Sequence, residues 1–585
     1  MNNFIKNVLA NIVAILIVFG VFIMFFVFML IIGSMSGSST PKVKDNSILT
    51  LTHNINIIDG PTEDNEGFPL FSGDMPKNVL IYDMLEAIKK AKTDDKIKGI
   101  SIESDIVRAG ITQLDDIRAA LEDFKKSGKF VYAYGNVVSQ SSYYLGSVAD
   151  QYYLNPVGGI ELKGMATEVV FLKNFADKYG IGIDVIRHGK FKAAVEPFMR
   201  NDISEENKEQ LSTLLNDIWG NTTKKIQASR KIDAAQLKLV TDSLYGIIPE
   251  NNTKYKLVDK LLQKSEYENI IRNKLNLKEK DKLNRVSFNK YIDSFKKGKT
   301  SKDEVAVLYA SGAIYNGKGY DAIYAENYVK EIKKLQEDDK VKAVVLRINS
   351  PGGSANASDE ILFELQQLRT KKPLIVSFGD YAASGGYYIA MAGDRIYSEP
   401  NTLTGSIGVF GTIPNFEEVA KRNGIRSDIV QTNENTAYYS TFHGVTPHGL
   451  AMLTKSVEET YKRFTGHVMK NRKMTFEQVD AIGGGRVWSG VRAKELNLVD
   501  ELGTLNDAIA YASQKANVKD FSVKSYPKKM STFEQLMKDF SGGEDLETRF
   551  IKNKLGKENF MIYQQLTNPE LQNRVMMQLP YSISY

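Results

Sequence analysis

The chain has 585 residues, 42% of them hydrophobic and 25% charged, with a formal charge of +6 at neutral pH. That is material for two or three domains with full cores, and the small net charge, with no basic stripe of interleaved aromatics, argues against nucleic acid as a partner. Zero cysteines exclude disulfides, thiolate catalysis and cysteine-built zinc sites, and the five histidines are scattered without a His-x-x-x-His pair, so neither a metal nor another cofactor is indicated.

From Val8 to Ile32 no residue is charged, and nearly all are Val, Ile, Leu, Phe, Met or Ala. A run of this length spans a bilayer with some tilt and exceeds the apolar core of a cleavable signal peptide, roughly 7–15 residues. The segment reads as a single transmembrane anchor, although the small residues Gly33, Ser34, Ser36 and Gly37 that follow leave processing open. Lys6 and the terminal amine flank it on one side, with Lys42 and Lys44 further off on the other. The positive-inside rule then predicts an N-terminus inside and the bulk of the chain exported.

The body opens with a β-rich stretch, Ser47 to Thr52, followed by a polar loop to about Lys77. Helix is predicted at Leu85–Ala91 and Leu114–Phe124, and strand at Ile97–Ile102 and Phe130–Tyr134. The pattern returns as strand at Val305–Tyr309, Ala343–Ile348 and Leu374–Phe378, and helix at Tyr328–Leu335 and Ser358–Leu368. Alternation at this spacing predicts an α/β fold with mostly parallel strands. The return is an internal duplication: Asp95-Lys-Ile-Lys98, Asn155-Pro156 and Tyr179-Gly-Ile181 lie over Asp339-Lys-Val-Lys342, Glu399-Pro400 and Asn423-Gly-Ile425 at one offset of 244 residues. Residues 1–46 form the anchor region (span about 8–32), 47–273 the first repeat, 274–303 a linker rich in Lys, Asp, Asn and Ser, and 304–525 the second repeat. A tail, 526–585, has no counterpart and holds an amphipathic helix candidate near Phe533–Phe540.

The copies differ where chemistry would sit. In the second, the apolar run Pro373–Phe378 meets Gly379, predicted to open a tight turn, and Tyr387 to Met391 suits a buried helix. Ser384 would stand at that helix's N-terminus, where free amides stabilise developing negative charge. A lone Ser-Gly-Gly also suits a plain N-cap, but its counterpart in the first copy is Gln140. Pro351-Gly352-Gly353, likewise at a strand's C-terminal end, suits an oxyanion nest and is replaced by Val107-Arg108-Ala109. A nucleophilic serine needs a base. Among few histidines the best candidate is a lysine in Arg187-His-Gly-Lys190-Phe-Lys192 of the first copy; Lys192 faces Thr436 in the second. One copy keeps a lysine and lacks the serine, the other the reverse, so two half-sites would make one Ser–Lys dyad. On these residues alone Lys190 competes with Lys192.

Ala382-Ala-Ser384-Gly-Gly-Tyr-Tyr, Lys192-Ala-Ala-Val-Glu-Pro-Phe, Asn349-Ser-Pro-Gly-Gly-Ser, Leu403-Thr-Gly-Ser406-Ile-Gly-Val and Gly485-Arg-Val-Trp-Ser-Gly490 together resemble the signal peptide peptidase A (protease IV) family in its long, duplicated bacterial form. The resemblance covers roughly residues 47 to 525 and the anchor. It implies two tandem Clp/crotonase-like βαβ repeats and a serine protease with Ser384 as nucleophile. It selects Lys192 as general base, makes Ser406 the group that orients the lysine, and assigns the oxyanion hole to the amides of Gly353 and Gly385. It further implies remnant signal peptides and other short unfolded peptides as substrates, a homotetramer, and a place in the bacterial inner membrane with the bulk periplasmic. Other classes sharing some of these features are a crotonase-like acyl-CoA enzyme, which would not need an export anchor or a swapped lysine, and a dead membrane scaffold, against which the intact Ser384 and Lys192 argue.

Overall fold

A computed structural model of the chain describes residues 2–35, 41–61, 76–278, 280–295, 301–319, 322–528 and 576–578. The duplication appears as two parallel sheets with matching strand order. The first runs Lys260–Leu261, Gln151–Ile160, Phe130–Val138, Ile97–Glu103, Ser47–Thr52, Asn284–Ser287. The second has the same six-strand order, Glu501–Leu502, Arg395–Ser398, Leu374–Ala383, Val341–Ser350, Asp303–Ser311, Phe521–Tyr526, and adds Leu403–Gly405 parallel to the end of Leu374–Ala383 with Val487–Ser489 antiparallel to it. Helices cover the sheets, which is why the strands read as apolar runs rather than alternations. Helix Ile81–Thr93 buries Ile81, Met84, Leu85, Ala87, Ile88 and Ala91 and turns Lys89 and Lys90 to solvent.

The stretch 274–303 is not simply a linker. Strand Asn284–Ser287 pairs with Ser47–Thr50 and completes the first sheet, and helix Phe288–Phe295 buries Phe288, Tyr291 and Ile292 in the first repeat's core. Its counterpart is Phe521–Tyr526 in the second sheet. The strand is short and sits beside a charged run, Lys278 to Lys282, which hid it from a reading based on composition. Gly379 also departs from its expected role. No turn starts there, and the strand continues to Ala383. The glycine marks a close approach instead, since a Cβ on it would lie 2.3 Å from Asp59 Oδ2.

A third sheet belongs to both repeats and runs Ile323–Tyr324, Ile314–Tyr315, Gly352–Ser354, Met576–Gln578, Val409–Asn415, Gly182–His188. Val409 to Asn415 of the second repeat pairs antiparallel with His188 to Gly182 of the first, residue for residue. This ladder carries the lysine-bearing stretch across to the serine-bearing repeat. The N-terminal run forms one helix, Asn2–Met35, whose described side chains are exposed. Among the described residues no helix is long and apolar enough to cross a membrane. The helix candidate at Phe533–Phe540 lies outside the described residues.

Candidate active site

Strand Leu374–Ala383 delivers Ser384 to the start of helix Gly385–Ala390. Ser384 has φ +56° and ψ −114°, a conformation costly for a residue with a Cβ and characteristic of functional sites. The turn is held by its own amide, which donates to Gly405 O at 2.8 Å. The side chain makes no capping bond, so Oγ is not committed to the helix.

Lys192 follows strand Gly182–His188 and caps a short 3-10 turn, Ala193–Val195. It is fully buried, as are Ser384 and Ser406. Nζ lies 2.8 Å from Ser384 Oγ, 3.0 Å from Ser406 Oγ and 3.3 Å from Ser406 O. Burial brings its pKa down to about 7, and no carboxylate opposes the shift. A neutral amine has two N–H donors and one lone pair, which suits three oxygen neighbours. Lys190, by contrast, is exposed, with Nζ over the Phe191 ring.

What buries the lysine was not read from the sequence. Gly484 O accepts from Phe191 N–H at 3.0 Å, and a Cβ on Gly485 would lie 2.6–2.7 Å from Lys192 N, Cα and Cβ. Gly408 passes close to the Lys192 stem, and the Phe410 ring lies 5.9 Å from Nζ. The run Gly483-Gly-Gly485 was the available signal for this bed. On the far side, Glu196 is buried and accepts from Asn207 Nδ2 at 3.0 Å, tying the lysine turn to helix Glu205–Arg230.

Gly353 and Gly385 lie together: a Cβ on Gly385 would sit 3.1 Å from Gly353 N. Gly352, with φ +99°, has no room for a side chain, since its Cβ would meet Met577 O at 2.1 Å and Gly385 N at 2.7 Å. Met577 belongs to the strand Met576–Gln578, which pairs antiparallel with Gly352–Ser354 and touches Phe410 on its other side. Its side chain is buried in the second repeat's core. An open groove of about 770 Å³ continues from Met577 and Ser354 past Asn356, Asp359, Tyr388 and Arg463. The tail strand spans three residues, too short for any sequence signal.

The counterpart positions do other work. Gln140 accepts from the amides of Lys163 and Gly164 and donates to Gly164 O, a purely local splint. Thr436 is exposed.

The family model for peptidase family S49 matches residues 123–278 and 366–519, and that for Clp protease matches 296–404. The chain is 34% identical over 542 residues to Protease 4 of Salmonella typhi, covering 89% of this chain and 87% of that one. It is 34% identical over 472 residues to Protease 4 of Haemophilus influenzae, covering 77% and 76%. With the chloroplastic serine protease SPPA of Arabidopsis thaliana it shares 32% identity over 491 residues, 82% of this chain and 70% of that one.

Desolvation of Lys192 has a stability consequence of definite sign. The folded pKa is about 7, against roughly 10.4 in an unfolded chain. Between these values the unfolded state holds a proton that the folded state lacks, so stability rises with pH across the window and burial of the amine is costly at its lower end. Lys192→Met should therefore raise Tm at pH 7 and flatten its pH dependence relative to wild type up to about pH 10. An unchanged or lowered Tm at pH 7 would contradict the desolvation.

Proposed function

The chain belongs to peptidase family S49 and is a serine protease, and from that premise we propose that it is an endopeptidase using Ser384 as nucleophile and Lys192 as general base. Ser406 orients the lysine, and the amides of Gly353 and Gly385 receive the oxyanion. The observation that carries this reading is the fully buried Lys192 Nζ, 2.8 Å from Ser384 Oγ.

Lys192, neutral and held by both oxygens of Ser406, takes the proton as Ser384 Oγ attacks a peptide carbonyl. The tetrahedral oxyanion accepts from the Gly353 and Gly385 amides, and Lys192 gives its proton to the leaving amine. Water then attacks the ester with the same amine as base. The strand gap between Gly352–Ser354 and Val409–Asn415 supports an extended peptide as substrate, because it presents two strand edges one strand apart. The chain's own Met576–Gln578 lies in that gap. Short unfolded peptides, remnant signal peptides among them, fit such a slot. The Asn2–Met35 helix, with its uncharged run, supports attachment to the bacterial inner membrane with the bulk periplasmic.

A homotetramer is supported by a face that one repeat covers and the other leaves bare. In the second repeat Asn401 is buried and bonds Asn221 and Asp115 of the first. Its counterpart in the first repeat, Val157, is 87% exposed, and nearby Val137 is 71% exposed. Ile106, Ile247 and Ile248 are exposed as well. A second copy of the chain would cover this face as the first repeat covers the second, a head-to-tail contact that closes into a ring.

Three expectations test these readings. Ser384→Ala and Lys192→Ala should each abolish peptide hydrolysis, the double variant being no worse than either, and kcat/KM should climb with pH through about 7 and level off as the amine loses its proton. Retained hydrolysis in Lys192→Ala, or a rate falling through pH 7–9 in folded protein, would sink the dyad. Ending the chain before Met576 should lower KM for a short peptide with kcat unchanged, because a competing strand leaves the slot. A fall in kcat would mean instead that the strand props up the site. Finally, Val157→Asp should dissociate the assembly in light scattering, and a wild-type monomer fully active at nanomolar concentration would remove the ring.

A further inference from the structure

The two strands whose ends carry the candidate chemistry do not stay in register. Ile348 pairs with Phe378, but Ser350 pairs with Ala382, so Gly379, Asp380 and Tyr381 face Asn349 alone. A ladder broken in a buried place leaves backbone groups that must find other partners. Side chains supply them. Arg347 Nη1 donates to Phe378 O and, at 2.9 Å, to Ser377 Oγ. Thr402 Oγ1 donates to Gly379 O at 2.8 Å and Thr404 Oγ1 to Ala382 O at 2.7 Å, while Tyr381 N–H donates to Asn349 Oδ1 at 3.1 Å.

Two of these splints are held by one carboxylate from the other repeat. Asp59 Oδ1 accepts from Arg347 Nε at 2.9 Å, and Oδ2 accepts from Asn349 Nδ2 at 2.6 Å. Glu399 Oε1 accepts from the same guanidinium at 3.1 and 3.2 Å. Asp59, Arg347 and Glu399 are all buried, and Asp59 fits only because Gly379 lacks a side chain. A second tie from the first repeat joins one residue on, where Asp380 accepts from Thr112 N–H and Oγ1–H at 3.0 and 2.9 Å.

The arginine and its carboxylates track the chemistry rather than the fold, whereas the splint at the Asn349 position is common to both repeats, Asp105 Oδ1 accepting from Asn136 N–H at 2.7 Å. At the 244-residue offset, Arg347 corresponds to Glu103, Asn349 to Asp105, Asp380 to Asn136 and Glu399 to Asn155. Glu103, of opposite charge, pairs instead with Lys264 and with Arg285. Both repeats build the same sheet, yet at this strand position only the one that carries Ser384 has a buried arginine.

We propose that Asp59, acting through Arg347 and Asn349, is a positioning residue for acyl transfer: it fixes the register step that sets Ser384 against the amides of Gly353 and Gly385. The inference rests on Ser384 being the nucleophile. Asp59 itself touches no reacting atom. The step lies two residues before Ser384 and three before Gly353, and a slip of one residue moves a strand end by about 3.3 Å. Misplacement of about 1 Å is enough to cost on the order of a hundredfold in rate.

The test uses the full chain with Asp59→Asn, which keeps the volume and removes the charge, and Asn349→Ala, which leaves the Asp59–Arg347 pair in place should the first variant fail to fold. Kinetics against a short peptide are read beside inhibition by a peptide aldehyde, which mimics the tetrahedral state, and by the uncleaved product peptide, which does not. In the folded variant kcat should fall by about tenfold to a hundredfold, aldehyde affinity should fall in parallel, and product affinity and the pH midpoint should stay as in wild type. A kcat within about twofold of wild type, a loss of kcat with aldehyde affinity retained, or a change confined to KM would each overturn the proposal. Fluorophosphonate labelling separates the two levels. Wild-type labelling rates in Asp59→Asn would remove the positioning role alone, whereas labelling that survives Ser384→Ala would remove the nucleophile assignment beneath it.

Discussion

An amine that is to lie uncharged near neutral pH has to be taken out of water, and neither repeat of this chain does that alone. Lys192 is rooted in the first repeat, but Ser406, Gly408, Phe410 and Gly485, which close around it, all come from the second. No nearby carboxylate compensates the burial, so the cost falls on the rest of the fold. The antiparallel ladder between Gly182–His188 and Val409–Asn415 joins the two repeats just before Lys192, whose Nζ lies 2.8 Å from Ser384 Oγ. Everything else at the site is arranged around this desolvation.

The duplication gives the arrangement its economy of parts. A symmetric pair of repeats would offer two lysines and two serines. Here one position of each pair carries neither: Gln140 splints the loop at Lys163 and Gly164, and Thr436 lies in solvent. The same divergence runs deeper, to the buried Arg347 and its counterpart Glu103.

Much of this was legible in the sequence because it rests on local patterns. Apolar runs mark the parallel strands, and a constant offset with reciprocal loss of Ser and Lys points to Ser384 and to one of Lys190 and Lys192, the choice of Lys192 coming from the family resemblance. What escaped detection depends on contacts made far along the chain. Asn284–Ser287 is four residues of mixed character whose strand state is set by an edge of the first sheet already in place. Gly379 looks like a turn former, yet its glycine is required by Asp59, 320 positions earlier in the chain. The glycine bed at Gly484 and Gly485 gains meaning only once the lysine is folded onto it.

The composite sheet also connects substrate binding with the state of the site. Its strand order places an intervening strand between Gly352–Ser354, which bears one proposed oxyanion amide, and Val409–Asn415, which is laddered to the strand leading to Lys192. A peptide taking that position would bond both edges and bridge the proposed nucleophile half of the site to the proposed base half. Its backbone hydrogen bonds would then serve to bring those halves into mutual register as well as to give affinity. In the free chain Met576–Gln578 makes the same bridge, with Met577 seated in the core. In this structure the slot is therefore not two bare edges facing water, and an incoming peptide would exchange one set of strand bonds for another rather than form them afresh.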